Sequence, residues 1–167
     1  MNTRQPDQTR RRLLMAGAAL SVSGMASRAL AGGPDYSASA FRKFSEADWR
    51  KRLPPPSFDV LRQEGTEFPN TSPLLNEHRK GVFACLGCDL PLFQSVWKYD
   101  SGTGWPSFFR AVDSAVEFKS DFKIGYERTE YHCARCLGHQ GHRFDDGPKP
   151  TGWRYCNNGV ALKFMPA

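Results

Sequence analysis

Nowhere do the 167 residues offer the run of about 20 apolar side chains that a membrane-spanning helix requires. The apolar stretch from Leu13 to Leu20 is interrupted by Ser21, Ser23, Gly24, Ser27 and Arg28 before it reaches that length. No low-complexity segment is visible, and no internal repeat beyond two short C-x-x-C units. Excess charge is also scarce. The formal net charge is +6, but residues 1–31 hold five arginines against the single Asp7, so only +2 belongs to residues 32–167. So small an excess is no footprint for nucleic acid. Cysteine is sparse, with five in the chain, none before Cys85, and the number is odd. An odd cysteine in an exported chain marks a free, reactive thiol.

What the N-terminus does have points to export. Thr9-Arg10-Arg11-Arg12-Leu13-Leu14 supplies a basic region running into apolar residues, and Ala29-Leu30-Ala31 is a small-x-small cleavage site. Paired arginines ahead of two leucines indicate a twin-arginine signal and a periplasmic or otherwise exported destination. The expected division is therefore a signal peptide over 1–31, a linker or tail over 32–44 with Gly32-Gly33-Pro34, and one domain over 45–167, with no stable membrane insertion after cleavage.

Ser45 followed by Glu46, Ala47, Asp48 and Trp49 reads as an N-capped helix with acids in its first turn. Pro54-Pro55-Pro56 must stop it, because proline lacks the amide donor and clashes with the preceding turn. A second short helix is expected from Ser57 to Glu64, facing a core with Phe58, Val60 and Leu61 and closed by Gly65. Beyond it the chain breaks into short runs between turn residues, the texture of an antiparallel β architecture. The expected strands are Gly81–Ala84, Val112–Phe118, Gly125–His132 and Arg154–Phe164. Asp100-Ser101-Gly102-Thr103-Gly104 is a loop that delivers Trp105, and Asp145-Asp146-Gly147-Pro148 is another, before the last strand.

Four cysteines form two knuckles, Cys85-Leu86-Gly87-Cys88 and Cys133-Ala134-Arg135-Cys136, 44 residues apart. Two-residue spacing lets both sulfurs of a knuckle turn onto one ion, and a closed set of four thiolates suits structural zinc. The long gap means that the ion would join two distant hairpins. Two disulfides are the alternative, although a bond inside C-x-x-C closes a tiny loop and is usually redox-active. A thioredoxin-like βαβ context is missing around both pairs.

The fifth cysteine lies in Gly152-Trp153-Arg154-Tyr155-Cys156-Asn157-Asn158. On a strand, Arg154, Cys156 and Asn158 share one face. A neighbouring guanidinium favours the thiolate, the nucleophilic form, and an amide can hold a substrate oxygen or orient a histidine. A small buried hydrophobe is the competing role for such a cysteine. Upstream, Gly138-His139-Gln140-Gly141-His142-Arg143-Phe144-Asp145-Asp146 brings two imidazoles and two carboxylates. Histidines three apart on a regular strand diverge, so a glycine-bent loop is expected to bring them together.

These segments resemble the B-type methionine sulfoxide reductases. The resemblance rests on Lys98-Tyr99-Asp100-Ser101-Gly102-Thr103-Gly104-Trp105-Pro106-Ser107-Phe108, on Gly141-His142-Arg143-Phe144-Asp145-Asp146-Gly147-Pro148 and on Arg154-Tyr155-Cys156-Asn157-Asn158. The two knuckles and Gly65-Thr66-Glu67 fall in the same order, so the likeness covers residues 45–167. It implies a mainly β fold of two antiparallel sheets joined by a structural zinc on Cys85, Cys88, Cys133 and Cys136, with short N-terminal helices. It also implies reduction of the R epimer of methionine sulfoxide in oxidised proteins, a lesion reversed by one enzyme per epimer. Cys156 then corresponds to the nucleophile. His139, His142, Asp146, Arg154 and Asn158 match the family's polar set, with Asp146 orienting a histidine, and Trp105 matches the aromatic against which the substrate methyl rests.

Three positions depart from the family pattern. Many members carry a resolving cysteine where this chain has Thr103, so the implied recycling agent is an external thioredoxin-like or glutaredoxin-like reductant acting on a monomer. Asn157 and Gly159 replace residues that are commonly apolar and serine; residue 157 faces away from the site by alternation. Two other functions remain open on sequence. A binding module on the same scaffold would use a pocket around Trp105 without chemistry. A zinc hydrolase would need an open metal position, which four cysteines close.

Overall fold

A computed structural model describes Met1 and residues 33–167, so the expected signal peptide lies outside the described residues. Among the described residues, no helix is long and apolar enough to cross a membrane.

Helix α1 spans Glu46–Arg52, and its start is the one the sequence announces. The Ser45 hydroxyl accepts from the Asp48 amide while the Asp48 carboxylate accepts from the Ser45 amide, a capping box. Helix α2 spans Pro55–Gln63 and begins two residues earlier than expected, because proline is tolerated in the first turn, where no amide donor is needed. The residue that closes it is Glu64, in the left-handed conformation at φ 55°, one position before Gly65. Within the stretch expected as a linker, Ala40–Lys43 forms a 3-10 turn whose Phe41 ring stacks on Trp49 with centroids 6.2 Å apart.

The strands are β1 (Gly81–Cys85), β2 (Pro91–Gln94), β3 (Lys98–Tyr99), β4 (Ser107–Phe108), β5 (Val116–Asp121), β6 (Arg128–Cys133), β7 (His139–Phe144), β8 (Arg154–Asn157) and β9 (Leu162–Pro166). They form two antiparallel sheets, β2-β1-β9 and β3-β4-β8-β7-β6-β5. The fold class is thus the one the resemblance implies.

Four expectations about strands are corrected, the first being that the strand expected over Gly125–His132 begins only at Arg128 and runs to Cys133. The long strand Arg154–Phe164 is two strands in different sheets, separated by a 3-10 turn at Gly159–Ala161. Glu67 holds that turn by accepting from the Gly159 and Val160 amides. The segment expected as a glycine-bent loop around the histidines is strand β7, with one irregularity in its pairing to β6. The strand expected over Val112–Phe118 begins only at Val116, after a turn in which the Ala115 amide donates to the Val112 carbonyl.

The core lies where aromatic side chains of both sheets meet. Phe93 stacks on Phe108 with centroids 4.1 Å apart, and Phe83, Tyr131 and Tyr155 pack edgewise around that pair. Phe83, Phe93, Phe108 and Tyr131 are fully buried. Rings of this size contribute both buried area and a specific mutual geometry, so they fix how the sheets face one another. With one sheet face committed to this core, pleat alternation leaves the opposite face of β8 and β7 for the site.

Candidate active site and metal centre

Antiparallel register places the reactive residues in one row. Across the larger sheet, Lys119 on β5 pairs with Glu130 on β6, Glu130 with His142 on β7, His142 with Cys156 on β8, and Cys156 with Ser107 on β4. Directly paired residues project from the same face with Cβ atoms about 5 Å apart. Cys156 and His142 therefore meet because of register, although they are 14 residues apart in sequence.

Gly141 makes the approach of the two strands possible. A Cβ there would lie 1.9 Å from the Cys156 carbonyl oxygen, so only glycine fits. The histidines converge through a β-bulge: Tyr131 pairs with Gly141 but His132 pairs with His139, which leaves Gln140 as the extra residue. One added residue reverses the alternation and turns His139 to the face of His142, with ring centroids 5.5 Å apart.

A cavity of about 130 Å³ opens above this row, lined by Cys156, His142, Trp105, Phe144, Arg128 and Thr66 among others. Trp105 is fixed by its indole N–H, which donates to the Glu67 carbonyl at 3.0 Å. Arg154 Nε and Nη2 donate to the two oxygens of Asp146, each at 2.8 Å, and its guanidinium lies 4.2 Å from the Phe144 ring centre. Asp146 thus holds Arg154 and not a histidine, correcting the expected role. The fork geometry explains the preference, since a guanidinium matches a carboxylate two bonds to two.

The carboxylates that do hold the histidines come from β5 and β6. His142 Nε2 lies 2.7 Å from Asp121 Oδ2, and His139 Nδ1 lies 2.8 Å from Glu130 Oε1. The amide of Lys123, and then His142 and Arg128, hold the Asp121 carboxyl well below the usual carboxylate range against its burial. An ionised Asp121 only accepts, so His142 carries its proton on Nε2 and keeps Nδ1 as an acceptor. Burial lowers the His142 pKa, opposed by the Asp121 hydrogen bond, so the ring rests neutral.

Cys156 is half-buried, and burial pushes its thiol up. Arg154, by charge and hydrogen bond, and the Thr103 hydroxyl pull in the other direction without overcoming it. Arg154 thus favours the thiolate, as expected, but does not outweigh burial. Asn158 lines the same cavity as Cys156, as expected, and its side chain is also committed to the backbone. Its Oδ1 accepts from the Glu67 amide at 3.0 Å and its Nδ2 donates to the Gln140 carbonyl at 3.0 Å, so it braces the bulge. Asn157 faces the core as alternation requires, accepting from the Tyr131 hydroxyl at 2.7 Å.

The four remaining cysteines lie together, their sulfurs all within 4.8 Å of one another and buried. Cys85 Sγ is 3.6 Å from Cys136 Sγ, and Cys88 Sγ is 3.4 Å from Cys133 Sγ. Tetrahedral zinc with bonds near 2.3 Å sets sulfurs about 3.8 Å apart, so the set fits the ion. Arg42, Arg52, Arg62 and Arg135 donate to the knuckle carbonyls of Ala134, Gly87, Cys136 and Cys88, a positive surround for a four-thiolate centre. Because Cys85 ends β1 and Cys133 ends β6, the centre ties one sheet to the other. Gln140 Nε2 donates to Cys85 Sγ at 3.4 Å, which links the metal centre to the bulge beneath the histidines.

The SelR domain model matches residues 53–166. The chain is 50% identical over 123 residues to the peptide methionine sulfoxide reductase MsrB of Agrobacterium fabrum, covering 73% of this chain and 91% of that protein. It is 51% identical over 124 residues to the MsrB of Leifsonia xyli, covering 73% and 89%. With the chloroplastic peptide methionine sulfoxide reductase B1 of Arabidopsis thaliana it shares 46% over 149 residues, covering 86% and 74%. The chain belongs to the SelR family, the B-type methionine sulfoxide reductases.

In this SelR-family protein, Cys156, His142 and Trp105 line one cavity, as expected from sequence. Asn158 lines it too while bracing the bulge, Arg154 lies beside the sulfur, Asp146 stands behind Arg154, and His139 is a buried support. Sequence reasoning missed Asp121, Glu130 and Arg128. Glu130 carried a usable signal: it is a carboxylate in the interior of an expected strand, where an unpaired charge is costly. Asp121 carried none, because only the β5–β6 pairing brings it to His142.

Proposed function

We propose that Cys156 reduces the R epimer of methionine sulfoxide in oxidised proteins, with His142 moving the proton. The observation that carries this reading is the pairing of Cys156 with a neutral, Asp121-held imidazole in a cavity walled by Trp105 and Phe144. The apolar walls suit the sulfoxide's methyl and methylene groups, and about 130 Å³ suits one side chain. His142 Nδ1 takes the thiol proton, and the Cys156 thiolate attacks the sulfoxide sulfur. The resulting imidazolium returns that proton to the sulfoxide oxygen, and Arg128 and Arg154 supply positive charge nearby. The new sulfur–sulfur bond then breaks as the hydroxyl oxygen passes from the substrate sulfur to Cys156, so methionine leaves and Cys156 becomes the sulfenic acid, which keeps the proton first taken from the thiol.

Zinc on Cys85, Cys88, Cys133 and Cys136 supplies structure rather than chemistry, because four thiolates leave no open position for water or substrate. With those sulfurs engaged, an external thioredoxin-like or glutaredoxin-like thiol attacks the sulfenic acid and releases water. The arginine pair and apolar run near the N-terminus support an exported, periplasmic site of action. The test uses dithiothreitol with each pure epimer of a blocked methionine sulfoxide. Turnover of the R epimer alone, abolished in Cys156→Ser, is expected; turnover retained in that variant refutes the assignment.

A further inference from the structure

His139 does not line the Cys156 cavity. It is 3% exposed and lines a separate cavity of about 240 Å³ together with Glu64, Lys119 and Glu130. Its Nδ1 is engaged by Glu130, whereas its Nε2 is buried and without a hydrogen-bond partner among the described residues. A buried ring nitrogen left unpaired costs stability, and folds retain one mainly where it has a task. The ring it belongs to packs edge-on against His142.

We propose that Glu130 is a positioning residue for the reductase reaction, holding His139 as the tautomer with Nδ1–H and an unprotonated, unpartnered Nε2 beside His142. This rests on the reading of Cys156 and His142 given above. Glu130 is itself 3% exposed, and its second oxygen lies 3.2 Å from Lys119 Nζ, which also pairs with Glu64. Burial raises the Glu130 pKa, but His139 and Lys119 outweigh it, so the group stays ionised and can only accept. The groups facing His139 are His142 on its own strand, Glu130 and His132 on β6, Lys119 on β5, and Arg62 and Glu64 of the α2 end. Of these, Glu130 alone hydrogen-bonds the ring among the described residues.

Glu130→Gln tests this with little change in shape. Lys119 can only donate, so it claims the new amide oxygen and turns the amide NH2 toward His139 Nδ1. The tautomer must then reverse. The full chain has four histidines, which makes their ring nitrogens assignable by 15N NMR after His139→Gln subtraction. The expected wild-type spectrum has a protonated Nδ1 and an unprotonated Nε2 for His139, exchanged in Glu130→Gln. The expected kinetics are a kcat lower by on the order of 100-fold with KM unmoved. A wild-type His139 protonated on Nε2 when neutral overturns the proposal whether or not the variant folds. So does a folded variant with wild-type kcat. Wild-type protein inactive on both epimers refutes the reductase reading itself, and the proposal falls with it.

Discussion

Replacing Gly141 with alanine adds one methyl group at the closest backbone approach in the site. The new Cβ would stand 1.9 Å from the Cys156 carbonyl oxygen, 3.0 Å from its carbonyl carbon and 3.2 Å from Asn157 Cα. All three are backbone atoms, so no side chain can swing aside. A carbon–oxygen contact relaxes at about 3.3 Å, which requires β7 and β8 to part by about 1.4 Å. Overpacking of this kind costs about 1–3 kcal/mol, or about 3–10 °C in melting temperature for a domain of this size. The larger effect falls on chemistry, because the strands parted are those that carry His142 and Cys156 opposite each other. A misplacement near 1 Å costs about 100-fold in rate. Turnover of R-sulfoxide with dithiothreitol and a thermal melt of the same sample read both consequences. An alanine variant with wild-type turnover and an unmoved melting temperature would refute the argument that register at Gly141 builds the site.

Cys85→Ser is expected to lose the single zinc, measured by elemental analysis, and to melt earlier, because the metal joins β1 to β6; a variant that keeps its zinc contradicts the four-thiolate centre. Asp121 has a depressed folded-state pKa, so its contribution to stability is full above the unfolded value near 3.9 and is lost as pH falls through the folded value. The stability gap between wild type and Asp121→Asn, read from urea melts, should therefore shrink below about pH 4. Burial raises the Cys156 pKa, so its alkylation by iodoacetamide should climb only above the ordinary thiol range near 8.5. Arg154→Met should move that limb higher still, and a limb that moves lower would contradict the pairing of guanidinium with sulfur.

The elements most legible in the sequence were those fixed by local rules. Ser45 with the acids behind it announced the start of α1 and the prolines its end, although α2 begins two residues before the expected Ser57. The cysteine spacing announced the metal centre, since two knuckles need no knowledge of the chain between them. What was not legible depends on pairing between distant strands. The bulge at Gln140 cannot be read from His139-Gln140-Gly141-His142, because it exists only relative to β6. Asp121 and Glu130 reach the histidines through register, and the split of Arg154–Phe164 depends on Glu67 capping a turn 92 residues away in sequence. The resemblance gave Asp146 to a histidine, whereas the bidentate geometry of Arg154 claims it.

The most direct test of the account is a single turnover without reductant. The protein is mixed with excess R-sulfoxide substrate, trapped with a sulfenic-acid reagent and mapped by mass spectrometry. The account predicts one methionine released per chain, one adduct, on Cys156, and no internal disulfide. Methionine formation with the adduct on a knuckle cysteine, or with Cys156 unmodified, would contradict it.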